Sequence, residues 1–171
     1  ADDSQKELFL KPLLSAEKVA FQNFSEPNAG SDLASLQARA IRDGDDWLIT
    51  GQKIWISGQR KPDLLFGPMV TDPDAPRHRN LGYFMVPFPS EGLDQERMNL
   101  LSGDDQSVFF FDEVRVPGDH LIGGENQGWQ VTQTTLEVEH GGRGQAVPID
   151  GAMENLLKYV KKTDREGTPL G

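Results

Sequence analysis

The sequence predicts a mainly β fold, a sandwich or barrel of packed sheets, with helical segments at either end. Three observations predict it. From Ala20 onward, short apolar runs alternate with clusters of Gly, Asp and Pro at intervals of roughly eight to twelve residues. The candidate strands fall in one block instead of alternating with helices, which disfavours a parallel α/β sheet. Before Ala20 and after Gly128, apolar residues recur at helical spacing instead.

Composition narrows the class. The chain has 171 residues, the size of one domain. Its 18 Gly and 11 Pro supply the turns that such a fold needs. Against 17 Lys and Arg stand 27 Asp and Glu, a formal charge of −10. That balance opposes a partner read through its phosphate backbone, so no nucleic acid is expected. No run approaches the ~18 apolar residues of a membrane span, and no leader pattern is visible, so a cytoplasmic protein is expected. With no cysteine, disulfides, thiolate metal sites and a cysteine nucleophile are excluded.

The elements follow in order. Ser4 with Glu7 three residues later has the pattern of a capping box, and Leu8, Phe9, Leu13 and Leu14 continue a helix that Pro12 must end or kink. Strands are expected over 37–42, 47–50, 53–57, 64–70, 81–86, 93–100, 108–111 and 114–116. Asp43-Gly44-Asp45-Asp46 forms a tight turn, and Gly51-Gln52 separates the second strand from the third. The proline-stiffened stretch 72–80 reads as an exposed loop. Helices are expected over 129–139 and 152–162. Trp129, Leu136, Leu156 and Leu157 are expected to keep apolar surface uncovered unless another chain covers it.

Few residues carry obvious chemistry. His78, His120 and His140 have no partner at metal-ligand spacing, so no metal site is expected. No nucleophile elbow, dinucleotide fingerprint or phosphate loop occurs. One segment, Phe24-Ser25-Glu26-Pro27-Asn28-Ala29-Gly30-Ser31-Asp32, gathers small residues, a turn and two hydroxyls. A backbone with so little side chain lets a flat ligand approach closely, and successive N–H groups with Ser31 could cradle an anion. An Asx/Pro turn or a helix cap at Ser31 or Asp32 reads the same residues without a ligand. A second segment, Trp55-Ile56-Ser57-Gly58, offers an aromatic face and a short hydroxyl that suit a planar heteroaromatic ring, or a half-buried strand tryptophan.

Together these segments resemble the middle domain of the acyl-CoA dehydrogenases. The first is Ser25-Glu26-Pro27-Asn28-Ala29-Gly30-Ser31-Asp32; the second runs from Asp43-Gly44 through Lys53-Ile54-Trp55-Ile56-Ser57. Phe110-Phe111-Asp112-Glu113-Val114-Arg115-Val116-Pro117 resembles the strand that ends that domain, and Asn126-Gln127-Gly128-Trp129 the start of the next helix. Four motifs in the same order are more specific than any one.

The resemblance implies residues 1–19 as the end of an N-terminal helical domain, 20–122 as the middle β-domain of two packed orthogonal sheets, and 123–171 as the start of a C-terminal helical domain. The chain is then part of a longer one. The resemblance also implies FAD as cofactor. Gln22, Phe24, Ser25, Gly30 and Ser31 would line it, with Ser31 also reaching the CoA part of the substrate, and Trp55, Ile56 and Ser57 would flank the ring system. The implied reaction is α,β-dehydrogenation of an acyl-CoA, with FAD as oxidant and a carboxylate as base. Glu139, in Leu136-Glu137-Val138-Glu139-His140-Gly141-Gly142, matches the base position of some family members, although His140 stands where they have arginine. In others the base lies in a later segment. The implied partners are acyl-CoA, an electron-transfer flavoprotein and further copies of the chain in a homo-oligomer. A non-catalytic β-domain scaffold, an acyl-CoA oxidase or a flavin monooxygenase remain the alternatives, because fold alone does not select chemistry.

Overall fold

In the computed structural model, residues 1–58, 61–103, 105–141 and 151–160 are described. The chain divides into two compact units, Ala1–Thr135 and Leu136–Gly171.

The first unit opens on a helix in three pieces. α1 (Asp3–Gln5) runs into a π-helical turn (Lys6–Leu10) and then α2 (Lys11–Leu14). The cap is Asp2, not Ser4. Gln5 N–H donates to Asp2 Oδ1 at 2.8 Å, and Asp2 N–H donates back to Gln5 Oε1 at 3.2 Å. The capping box therefore lies two residues earlier than expected. A tertiary contact favours this register, because Gln5 Nε2 also donates to the carbonyls of Asp119 and Leu121. Pro12 does not end the helix. The π turn in front of it, closed by Lys11 N–H on Lys6 O, puts Pro12 in the first turn of α2, where its missing donor is not needed.

Eight strands follow among the described residues: β1 (Ala20–Gln22), β2 (Arg39–Asp43), β3 (Asp46–Ser57), β4 (Leu64–Val70), β5 (Leu81–Pro87), β6 (Leu93–Asn99), β7 (Asp105–Val116) and β8 (Leu121–Ile122). β3 and β7 each replace two expected strands. The anticipated break at Gly51-Gln52 is a local irregularity in a continuous ladder, and β7 pairs with β3 on both sides of it. Gly51, at φ 143°, takes the backbone where an L side chain is strained.

The hydrogen-bonded path is β6-β7-β3-β2-β4-β5-β8, with β1 also on β4. β2 and β4 share a single registered pair, Arg39 with Val70, so the path turns a corner there. The two expected sheets are thus two arms of one path. They face a common core that includes Ile49, Ile56, Leu65, Phe84, Val86 and Phe109. Trp47 of β3 meets Phe84 of β5 edge-on at 5.4 Å between ring centroids. Among the described residues β6 and β8 do not pair, so the path stays open and is not a closed barrel.

α3 (Gly128–Glu139) begins in the first unit. There Trp129 is half-buried, stacked on His78 at 4.4 Å. In the second unit α4 spans Gly151–Val160, with Leu156 and Leu157 exposed, while Leu136 is half-buried. Gly142, Lys161, Lys162 and the stretch after them lie outside the described residues.

Candidate active site

The two ligand-suited segments lie far apart in sequence, and β3 brings them together. Glu26 and Ala29 exchange backbone hydrogen bonds of 2.7 and 3.1 Å, which closes a tight turn over Pro27-Asn28. The Ser25 carbonyl accepts from Ile54 N–H at 2.9 Å. Ser25 therefore docks on β3 one residue before Trp55.

The docking is reinforced by a group that sequence reasoning missed. Lys53 is completely buried. Its Nζ donates to Phe24 O at 3.2 Å, to Glu26 Oε1 at 2.8 Å and to Pro68 O at 3.0 Å. An ammonium has three N–H donors, and here each has an acceptor. The Glu26 carboxylate accepts in addition from the backbone N–H of Gln37 at 2.6 Å and of Ala38 at 3.0 Å. Burial pushes the Lys53 pKa down, and Glu26 opposes that shift. The signal for Lys53 was present in the sequence, because Trp47, Ile49, Gly51 and Lys53 share one face of a period-two strand. A lysine on the inward face needs partners.

Beyond Lys53 the β3–β7 ladder shifts register, pairing Lys53 with Phe109 but Ile56 with Ser107. This bulge turns Trp55 outward at φ 63° with 54% of its surface exposed. Two residues on, Ser57 is exposed and its Oγ accepts from Gln106 Nε2 at 3.0 Å. Gln106 Oε1 is buried without a partner. With one lone pair engaged by Gln106, the Ser57 hydroxyl proton is free to be donated to a ligand.

The other expected residues divide clearly. Gly30 and Ser31 are exposed at the end of the loop, and Gln22 is half-buried on β1. The side chains of Phe24 and Ile56 are buried, with the Phe24 ring edge-on to Phe66 and Tyr83. Neither offers its side chain to a ligand; what remains is backbone, and the Phe24 carbonyl is already taken by Lys53. Arg77 of the 72–80 loop pairs with Asp32. Glu139 ends α3 in the second unit and is exposed. A cleft of about 490 Å³ is lined by residues including Glu26, Asn28, Arg39 and Gln52, but not by Ser25, Trp55 or Ser57. Among the described residues no cluster of His, Asp and Glu could hold a metal ion.

The exposed Trp55 indole, with the Ser57 hydroxyl two residues along the strand and the Ser25 loop docked at Ile54, suits a flat polar heteroaromatic ligand. Residues 22–114 match the family profile described as acyl-CoA dehydrogenase, middle domain. The chain belongs to the acyl-CoA dehydrogenase family. It is 39% identical over 159 residues to acyl-CoA dehydrogenase FadE34 of Mycobacterium tuberculosis, covering 91% of this chain and 22% of that protein. Among solved structures, the Tcur3481-Tcur3483 steroid ACAD matches with a TM-score of 0.77 at 36% identity, over 81% of this chain and 36% of its own. The ChsE4-ChsE5 complex from Mycobacterium tuberculosis matches at 0.77 and 32%, over 99% and 44%. The chain thus spans less than half the length of each. Members of the family are FAD-dependent flavoproteins, and the Trp55–Ser57–Gln106 arrangement fits a flavin.

Proposed function

We propose that this chain forms the FAD-facing part of a cytoplasmic acyl-CoA dehydrogenase that oxidises the α,β bond of an acyl-CoA thioester and passes electrons to an electron-transfer flavoprotein. The observation that carries the reading is the docking of Ser25 on β3 beside the outward-turned Trp55, through Ile54 N–H and Lys53. FAD, when bound, supplies the two-electron oxidant.

The protein's own residues do the rest. Trp55 would cover one side of the ring system. Ser25 and Ser57 would supply hydroxyls to its polar edge, Ser57 with one lone pair already engaged by Gln106. Gly30 would allow close backbone approach, and Ser31 would reach the cofactor pyrophosphate or the CoA moiety. Gln22 completes the lining from β1. Glu139, at the base position of some family members, would take the α-proton. Copies of the whole protein assemble into an oligomer.

The experiment is an FAD titration of the full-length protein by visible absorbance, followed by turnover with a panel of acyl-CoA thioesters and an added electron acceptor. Because one similar structure is a steroid ACAD, the panel includes a steroid acyl-CoA beside straight-chain ones. Yellow protein with acyl-CoA-dependent turnover is expected. Colourless protein without FAD affinity overturns the reading and leaves a scaffold, while rapid oxygen consumption without an added acceptor makes it an oxidase. Glu139→Gln is expected to abolish turnover and keep FAD; retained turnover removes Glu139 as the base.

A further inference from the structure

We infer that the buried Lys53–Glu26 pair is a positioning device for Ser25, gripping the residues on both sides of it so that its hydroxyl and the Trp55 face belong to one rigid surface. The inference rests on the FAD-site reading above. It goes beyond that reading because neither Lys53 nor Glu26 is asked to touch the cofactor.

The geometry carries it. Three consecutive residues of the loop are each held by a different bond to two consecutive residues of β3. The Phe24 carbonyl and the Glu26 carboxylate accept from Lys53 Nζ, and the Ser25 carbonyl accepts from Ile54 N–H. The third Lys53 bond, to Pro68 O, ties the same ammonium to β4, and Glu26 ties the loop to Gln37 and Ala38, the two residues that lead into β2. The loop is therefore referenced at once to β2, β3 and β4, the strands at the corner of the path. A simpler way to hold a turn exists in the Glu26–Ala29 backbone bridge, which is already present. The buried charges are needed for the loop's place on the sheet, not for its internal shape. Burying an ion pair is a poor route to stability, since apolar residues of similar size often do as well. Its presence here points to specificity of placement.

Lysine fits and arginine does not, because one tetrahedral ammonium meets three acceptors in a closed space, whereas a planar guanidinium cannot. Glutamate fits and glutamine does not. Of the two carboxylate oxygens, Oε1 accepts from Lys53 and Ala38 and Oε2 from Gln37, so an amide NH2 would meet a donor on one side.

The test uses the full-length protein and three variants. Glu26→Gln breaks the clamp and keeps the shape. The double variant Lys53→Met with Glu26→Leu removes both charges together, which leaves no unpaired buried ion. Val116→Ala is the control: it shortens a core side chain on β7 opposite Trp47, six residues along β3 from Lys53. FAD dissociation constant, flavin absorbance band shape, urea midpoint and amide exchange are measured for each. Both clamp variants are expected to weaken FAD binding by at least about tenfold, to change the band shape and to speed exchange at Ile54, Gln37 and Ala38. Val116→Ala is expected to lower the urea midpoint without these effects. Wild-type FAD affinity in either folded clamp variant overturns the inference, as does a loss that merely tracks lost stability as in Val116→Ala. If neither clamp variant folds, the pair is a requirement of the fold and the positioning role falls. If the wild type itself binds no FAD, the FAD reading fails separately. The clamp is then decided on exchange alone: fast exchange at those amides in the clamp variants but not in the control supports it, and equal exchange overturns it.

Discussion

Trp55 pays twice for its place on β3, in a left-handed backbone at φ 63° and in an indole 54% exposed. The conformation costs about 1–2 kcal/mol for a residue with a Cβ, and so exposed a ring recovers little through burial. An outlier of this kind is a pointer to function. Replacing Trp55 by Gly relieves the φ strain and adds roughly 0.5–1 kcal/mol of backbone entropy cost. The thermal midpoint of Trp55→Gly is therefore expected to stay level or rise, while FAD affinity falls. A midpoint lowered by more than about 5 °C, well beyond the ~1 kcal/mol that shifts a domain of this size by 2–4 °C, would make Trp55 a structural residue. Lys53 is the converse case. Its inward position was legible from the period-two pattern, but its acceptors come from residues 24, 26 and 68, and no local rule links them. Ser57 was legible as a hydroxyl beside an aromatic. That Gln106 donates to it depends on the β3–β7 register.

At the level of elements, the errors of sequence reading share one cause. Gly51-Gln52 reads as a turn and is an irregularity within β3; residues 112 and 113 read as a gap and lie inside β7, with Glu113 at φ 51°. Gly and positive-φ residues mark a turn when no partner strand is present and a bulge when one is. Only the pairing of β3 with β7 decides between them. The same reasoning applies to β5, whose Tyr83 is buried with its hydroxyl 3.3 Å from Thr135 on α3. Burial pushes the Tyr83 phenol from 10.0 up to about 12. Between those two values the unfolded chain has lost this proton and the folded chain has kept it. The stability Tyr83 contributes is therefore complete below pH 10 and lost as pH rises toward 12, a change of roughly 2–3 kcal/mol. Urea unfolding across that window is expected to show a steeper loss for the wild type than for Tyr83→Phe. Parallel slopes would mean that the phenol ionises in the folded protein without penalty.

For the molecule as a whole, the shared core matters more than either arm of the sheet path. β2 and β4 are joined by one registered pair, so hydrogen bonding alone would leave a loose corner. The arms are held by side chains facing each other, with Trp47 of one against Phe84 of the other. Phe84→Ala is expected to cost about 3–5 kcal/mol. Amide exchange of β4 and β5 should accelerate together with that of β3 and β7; acceleration confined to β4 and β5 would show that the arms unfold separately. By itself the sequence determined the mainly β class, most strand positions, the helical ends and the segments that resemble the family, because alternation, turn chemistry and small-residue clusters are local properties. It did not determine the open path, the bulge that exposes Trp55, the capping residue of the first helix or the clamp through Lys53. Those depend on which strand lies beside which and on acceptors supplied from across the sheet. Tertiary structure decided them because a buried donor must find its acceptor in space, wherever the chain happens to place it.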